Sequence, residues 1–351
     1  MGEIIGLGLS HGPFIGYVEE DMANMCKRVL ASPKTPMELK DPKNWPEPMR
    51  LEWGDDEALS SAYKHRAQLV EGVRKLRAEL DAFNPDFVVI WGDDQYENFR
   101  EDLVPAFCVY IEEEYQAKPW SKGSGLGTTT NVWGEPPETV MQIKGNTQGA
   151  KALAQGLLDR DFDIAYAFKQ NHSDLSHAFW RTVNYLDYDR NGFPYPIIPF
   201  HVNCYGRGMI RMLSRIENGP RFEPGEFPPS APSPRRCYQI GAATAQIFRD
   251  SPWRVALIGS SSWSHATLSA NNHFVWPNVP EDKKRFAELK AGNYEAWSKL
   301  PLSQIEHAGQ HEMLNWICLA GAMNELNLKP AFLDFAESWI FNSSKAVGIF
   351  K

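Results

Sequence analysis

The sequence predicts an α/β protein: a layered α/β/α fold with a central mixed, mostly parallel sheet, helices on both faces, and the site at the strand C-terminal ends. Three observations predict it. Short apolar runs of strand length recur, at Ile4 to Leu9, Phe87 to Trp91, Pro196 to Phe200 and Arg254 to Gly259. Longer stretches with helical spacing lie between them, at 57–83, 147–159 and 237–249, and such alternation marks a sheet crossed by helices. Several strand-like runs also stop on histidine or on a polar cluster, and in open α/β sheets ligands are held outside the strand C-termini.

The first strand, Ile4 to Leu9, leads into Ser10-His11-Gly12-Pro13. Residues 32–56, rich in proline, tryptophan and charge, read as an irregular excursion. Residues 57–83 carry helical spacing, with Leu59, Tyr63, Val70, Val73, Leu76 and Leu80 as the buried face, and Asn84-Pro85-Asp86 ends that helix. The Phe87–Trp91 strand runs straight into Gly92-Asp93-Asp94-Gln95-Tyr96-Glu97, and a short strand at 106–111 follows Pro105. Residues 116–137, with several Gly, Pro and Thr, read as a surface loop or lid. A helix near 147–159 precedes a strand at 162–168 that ends at Asn171-His172-Ser173, and the Pro196–Phe200 run ends at His201-Val202-Asn203. The proline-dense 218–234 segment reads as irregular. The strand at 254–259 ends in Ser260-Ser261-Ser262-Trp263-Ser264-His265, and from 281 the pattern is helical to Phe332, broken at Pro301. This organisation suits one domain over 1–351 with loop insertions near 32–56, 112–145, 218–234 and 271–280.

Composition narrows the function. Of 351 residues 43% are apolar, enough for a large core, and the formal net charge of −8 argues against nucleic acid or an anionic membrane as partner. No apolar run approaches the roughly 20 residues of a membrane helix. The chain enters a strand pattern at once, which predicts no secretory signal. Five cysteines, at 26, 108, 204, 237 and 318, are scattered and form no CxxC, the pattern of a reduced cytoplasmic protein without a cysteine metal site. Gly6-Leu7-Gly8 lacks the third glycine of a phosphate loop, and the serines after Gly259 do not form a Gly-x-Ser-x-Gly elbow.

Taken in order, Ser10-His11-Gly12-Pro13, Gly92-Asp93-Asp94-Gln95-x-Glu97, Asn171-His172-Ser173, Ser262-Trp263-Ser264-His265 and the acidic helix start Pro280-Glu281-Asp282 carry a resemblance. The chain resembles the type III extradiol ring-cleavage dioxygenases, the protocatechuate 4,5-dioxygenase β-subunit-like family. Pro196 to Asn203 and the closing helix with Asn315-Trp316 fit the same layout. The Gly-Asp-Asp-Gln-x-Glu variant looks most like the single-subunit branch that includes 3-O-methylgallate dioxygenases. The resemblance implies aromatic compound catabolism: a mononuclear non-haem Fe(II) enzyme that opens the ring of a substituted catechol with O2, on a lignin-type methoxylated or carboxylated aromatic, as a cytoplasmic homodimer. Such iron is held by two histidines and one carboxylate with positions left open, and a histidine titrating near pH 7 suits the accompanying proton transfer.

Carried over by residue, the resemblance makes His11 the first metal histidine and Glu281 the metal carboxylate, with Asp282 its neighbour and competitor. His265 matches the acid–base histidine, and His172 a second active-site histidine. Gln95 stands where the family has its second metal histidine, and an amide oxygen is a poorer Fe(II) ligand than imidazole. Gln95 itself, Asp94, Glu97, or His65 from the preceding helix could fill that place. His307 and His311, at i and i+4 but outside an HExxH context, read as a solvated helix start; His177 and His201 could line the pocket. Two other readings use the same residues: a Zn-type metal hydrolase, and a non-catalytic relative that binds metal or a protein partner.

Overall fold

The computed structural model describes residues 2–121, 130–206, 208 and 229–351. Its strands are β1 (Glu3–Leu9), β2 (Phe87–Gly92), β3 (Phe107–Tyr110), β4 (Glu114–Ala117), β5 (Met141–Lys144), β6 (Ala165–Ala167), β7 (Ile197–Val202), β8 (Arg254–Ser260), β9 (Pro330–Ala336) and β10 (Lys345–Phe350). Eight of them form one sheet in the order β6-β3-β7-β2-β8-β1-β10-β9, and β4 pairs with β5 separately. The centre is parallel: Ile90 on β2 lies opposite Pro199 on β7 and Ile258 on β8, and Ile258 lies opposite Leu7 on β1. β10 runs antiparallel to β1 and to β9, and β3 antiparallel to β7. The α/β class and the large mixed sheet agree with the sequence-based expectation.

Six helices among the described residues have ten or more residues: α1 (Leu59–Phe83), α2 (Thr147–Leu158), α3 (His177–Leu186), α4 (Pro234–Arg249), α5 (Val279–Lys290) and α6 (Met313–Glu325). Side chains alternate across a strand, and here the alternation feeds two separate cores. Leu7, Val88, Ile90 and Ile258 pack in one with Val73 and Leu76 of α1 and Phe179 of α3. Val89, Trp91, Ile198 and Leu257 pack in the other with Leu153 of α2, Ile240 of α4 and Ile317 of α6. Strands buried on both faces lose the apolar–polar alternation, which is why β2 reads as a plain apolar run.

Several elements depart from the sequence pattern for identifiable reasons. On α1 the buried stripe runs through Ala62, His65, Leu69, Val73, Leu76 and Leu80; Tyr63 falls off that stripe and is 52% exposed. The helical run predicted to Phe332 stops at Glu325, because Asn327 takes a positive φ of 54° and Pro330 opens β9. α3 was not anticipated, although Phe179, Val183 and Leu186 recur at helical spacing there; all ten of its residues are buried, the polar ones included. Within the anticipated insertions, 32–56 holds the helix Glu47–Trp53, 112–145 holds β4 and β5, and 271–280 leads into α5. Residues 122–129 of the anticipated lid and 218–228 of the proline-dense segment lie outside the described residues.

Two glycines of β1 set the position of α6. A Cβ at Gly6 would lie 2.2 Å from Met323 Sδ, and one at Gly8 would lie 2.1 Å from Trp316 Cη2. Met323 and Trp316 are two helical turns apart, so α6 lies along β1 with its first turn at the strand's C-terminal end. The Gly6-Leu7-Gly8 sequence thus serves helix packing.

Candidate metal centre

Beyond the C-terminal ends of β1, β2 and β8, four buried side chains converge. His11, Asp93, His177 and Glu312 each offer a ligand atom, and these atoms all lie within 4.8 Å of one another. His11 comes two residues after β1, Asp93 directly after β2, His177 opens α3, and Glu312 immediately precedes α6. His11 Nε2 is 3.8 Å from Asp93 Oδ1 and 3.7 Å from Glu312 Oε2, and His177 Nε2 is 3.9 Å from Asp93 Oδ2. His265 approaches from the loop after β8, its Nε2 3.5 Å from Glu312 Oε2.

The surrounding hydrogen bonds orient each ring. His177 Nδ1 is 2.7 Å from Glu97 Oε2, and His265 Nδ1 is 2.8 Å from the Trp263 carbonyl. Both Nδ1 atoms face acceptors and therefore carry the proton, assigned from these partners. His11 Nδ1 is 2.9 Å from Ser260 Oγ, whose own hydroxyl donates to the Ala178 carbonyl; the proton of His11 is again on Nδ1. All three Nε2 lone pairs thus face the same buried space. On the opposite side, Asp93 Oδ2 and Glu312 Oε2 are buried without a hydrogen-bond partner. Acceptors meeting acceptors in a water-excluded site call for a cation. Donors bound at about 2.0–2.2 Å to one ion sit roughly 3–4 Å apart, the spacing found here, so the residues fit a divalent metal.

Electrostatics follow from burial. Desolvation lowers the His11 pKa to about 3. It pushes the Asp93 carboxyl well above the usual range, with Glu312 adding repulsion. Desolvation acts upward on Glu312 too, but the His265 and His11 imidazoles and the Tyr205 hydroxyl outweigh it and bring Glu312 down to about 2. Burial opposes charge on His177, yet the Glu97 carboxylate overcomes it and raises its pKa. Burial thus disfavours charge on Asp93, while the imidazoles and the Tyr205 hydroxyl favour it on Glu312.

The sequence-predicted residues fall in three places. His11 lies in the cluster and His265 beside it. Gln95 lies at its rim, donating from Nε2 to Glu312 Oε1 and to the Tyr205 hydroxyl, both at 3.0 Å. That amide therefore presents its nitrogen, which has no lone pair to give a metal. The structure does not bring Glu281, His65 or His172 into the cluster. Glu281 sits in the first turn of α5 with Arg285, 3.7 Å away, while Asp282 turns inward to accept from the Ser264 amide and Gln310. His65 is buried against the Phe341 ring, centroids 5.1 Å apart. His172 pairs with Asp102 at 2.8 Å and is 29% exposed.

The remaining acids of the strand end have their own tasks. Asp94 accepts from the amides of Glu97 and Asn98 and from Ser176 Oγ, tying the loop to the start of α3; Glu97 then receives His177. His311 is not solvated: it stacks on Tyr205, centroids 5.6 Å apart, and burial lowers its pKa to about 4. Sequence reasoning had His177 only as a residue that could line the pocket and gave neither Asp93 nor Glu312 a ligand role. A usable signal was present for Glu312, an acid directly before the apolar Met313–Met323 run, where helix N-termini favour anions.

No protein-family model matches the chain. It is similar to a 2,3-dihydroxyphenylpropionate/2,3-dihydroxicinnamic acid 1,2-dioxygenase of Pseudomonas putida, 27% identical over 224 residues, covering 63% of this chain and 54% of that protein. The like-named protein of Photorhabdus laumondii is 25% identical over 218 residues, with 62% and 54% covered. That of Comamonas testosteroni is 26% identical over 196 residues, with 56% and 48% covered. The chain thus spans about half the length of the curated relatives it matches, and those relatives are named as 1,2-dioxygenases.

Proposed function

We propose that the chain is a non-haem Fe(II)-dependent extradiol dioxygenase that opens the ring of a substituted catechol. The observation that carries this reading is the convergence of the His11, His177 and His265 Nε2 lone pairs on the unpartnered oxygens of Asp93 and Glu312. His11, His177 and Glu312 supply the two-histidine, one-carboxylate set that suits Fe(II) with open positions, and Asp93 is a further carboxylate at the same point. The bound iron supplies the path by which electrons pass from a catecholate to O2. The similarity to dioxygenases named for 2,3-dihydroxyphenyl substrates supports the catechol, and the Gly92-Asp93-Asp94-Gln95-x-Glu97 strand end favours a single-subunit enzyme.

The chain's own residues account for the proton chemistry. His265 keeps its proton on Nδ1 against the Trp263 carbonyl, so its Nε2 is free to accept the hydroxyl proton of a substrate seated at the cluster. Gln95 and the Tyr205 hydroxyl fix Glu312 Oε1 and leave Oε2 facing inward. Glu97 fixes His177 in the same way.

Protein loaded with Fe(II) under argon should consume one O2 per catechol and yield a yellow ring-opened product carrying both oxygen atoms. Absence of O2 uptake across a panel of catechols and gallates would reject the reading. Metal analysis of Glu312→Gln and His177→Ala separates the ligand assignment from the chemistry: both variants should lose iron.

A further inference from the structure

Helix α3 carries His177, Arg181 and Tyr185 at four-residue intervals, a spacing that puts all three on one helix face. The outer two are fixed toward the loop after β1. The His177 ring packs edge-on against His11 with centroids 5.1 Å apart, and the Tyr185 hydroxyl donates to the Gly12 carbonyl at 2.9 Å. Arg181 lies between them and so faces the same loop. Its charge is felt at His11, His177, Glu97 and Tyr17, which places it beside the cluster.

Arg181 is 6% exposed, and among the described residues no acceptor meets its guanidinium. Nε is buried without a partner, and the recorded contact is the face of Trp180, 5.3 Å from its centroid. Glu97, a carboxylate that feels the Arg181 charge, makes its hydrogen bonds to His177 and none to Arg181. Arg285, buried to a similar degree, shows the usual solution, with Glu288 at 2.9 Å and Glu281 at 3.7 Å. A buried cation without a counter-charge is costly, and the planar fork of arginine matches a carboxylate through two parallel hydrogen bonds.

We propose that Arg181 is a specificity-determining residue that receives the carboxylate of a substituted catechol while the diol faces His11, His177 and Glu312. The assignment rests on the catechol reading above. One helical turn, about 5.4 Å, separates His177 from Arg181, comparable to the width of an aromatic ring, so the carboxylate is carried on the ring or on a short chain. The substrate class is accordingly a catechol acid; the corresponding ester or amide lacks the charge that Arg181 pairs.

The test measures binding of 3,4-dihydroxybenzoate and its methyl ester to Fe(II)-loaded protein without O2, by calorimetry and by tryptophan fluorescence. The wild type should bind the acid at least tenfold more tightly than the ester. Arg181→Met should bring that ratio to within about twofold of unity, with a melting temperature no lower than the wild type because the charge it removes was unpaired. Arg181→Lys, which keeps the charge but loses the fork, should retain part of the preference and decides the matter if the Met variant does not fold. An equal affinity of the wild type for acid and ester, or an acid preference unchanged in these variants, overturns the assignment. If neither compound binds the wild type while the catechol panel shows O2 uptake, this assignment falls alone; if the panel also shows none, the catechol reading falls and takes this one with it.

Discussion

Each imidazole at the cluster is held by an oxygen behind it, and these outer partners make separable predictions. Glu97→Gln removes the carboxylate behind His177 while leaving all four cluster residues, so iron affinity should fall about 10–100-fold in a metal titration. His265→Ala should keep its iron yet lose roughly 10²–10⁴ in kcat, the usual worth of a positioned acid–base group; a variant that loses iron instead would make His265 a ligand. Asp282 gives a pH prediction. Burial raises its pKa to about 7, and its Oδ2 has no partner. Its folded-state pKa is above the unfolded value, so the folded form holds a proton that the unfolded chain releases above about pH 4. The cost to stability is absent below that pH, grows up to about pH 7 and is constant beyond. Asp282→Asn should therefore gain on the wild type by about 3 kcal/mol between pH 5 and pH 8 in urea unfolding, an order-of-magnitude figure from 1.36 kcal/mol per pKa unit. At this scale the sequence told most where a residue follows a strand. His11 and His265 were legible as strand-end histidines, whereas His177 was not, because its role depends on Glu97, 80 residues away.

Helices α4 and α6 touch through their backbones. A Cβ at Gly241 would lie 1.8 Å from the Cys318 carbonyl oxygen, and one at Gly321 would lie 2.0 Å from that of Tyr238. Backbone cannot swing aside as a side chain does, so Gly241→Ala or Gly321→Ala must push the helices apart, at a cost of about 1–3 kcal/mol or more. Because Glu312 immediately precedes α6, Gly321→Ala should also weaken iron binding, whereas Gly192→Ala, where nothing lies within 4 Å, should leave iron occupancy unchanged. Thermal melts paired with metal analysis of the three variants check this. The parallel strands and α1, α2 and α4 could be read from sequence because each has the length and apolar content of its class. α3 was passed over although Phe179, Val183 and Leu186 hold a helical period, and β9 and β10 were masked by the helical run before them. A reading that ended in helix therefore lacked the antiparallel edge of the sheet, β10 beside β1 and β9 beyond it.

Over the whole molecule, the sheet brings together residues that no local pattern links. The net charge of −8 opposes the approach of an anionic catechol, while the Arg181 charge attracts it at short range. Raising ionic strength from about 10 mM to 150 mM shortens the Debye length from roughly 30 Å to 8 Å. Association with the acid should accordingly speed up over that range while the ester's rate stays level, as stopped-flow fluorescence would show. The class of the fold was legible because alternation of strands and helices is a property of the entire chain; its antiparallel edge was not, since β10 acquires its place only by pairing with β1.

That pairing has a temporal consequence. His11 and Glu312 are about 300 residues apart in the chain yet share one pocket, and the glycines of β1 that seat α6 wait on a helix made about 300 residues later. A growing chain holding only β1, β2 and α3 has His11, Asp93 and His177 but no Glu312. All four side chains share the pocket only once Glu312 has been made and α6 has docked on β1, so a cation held by the complete set would bind after that docking and could not template it.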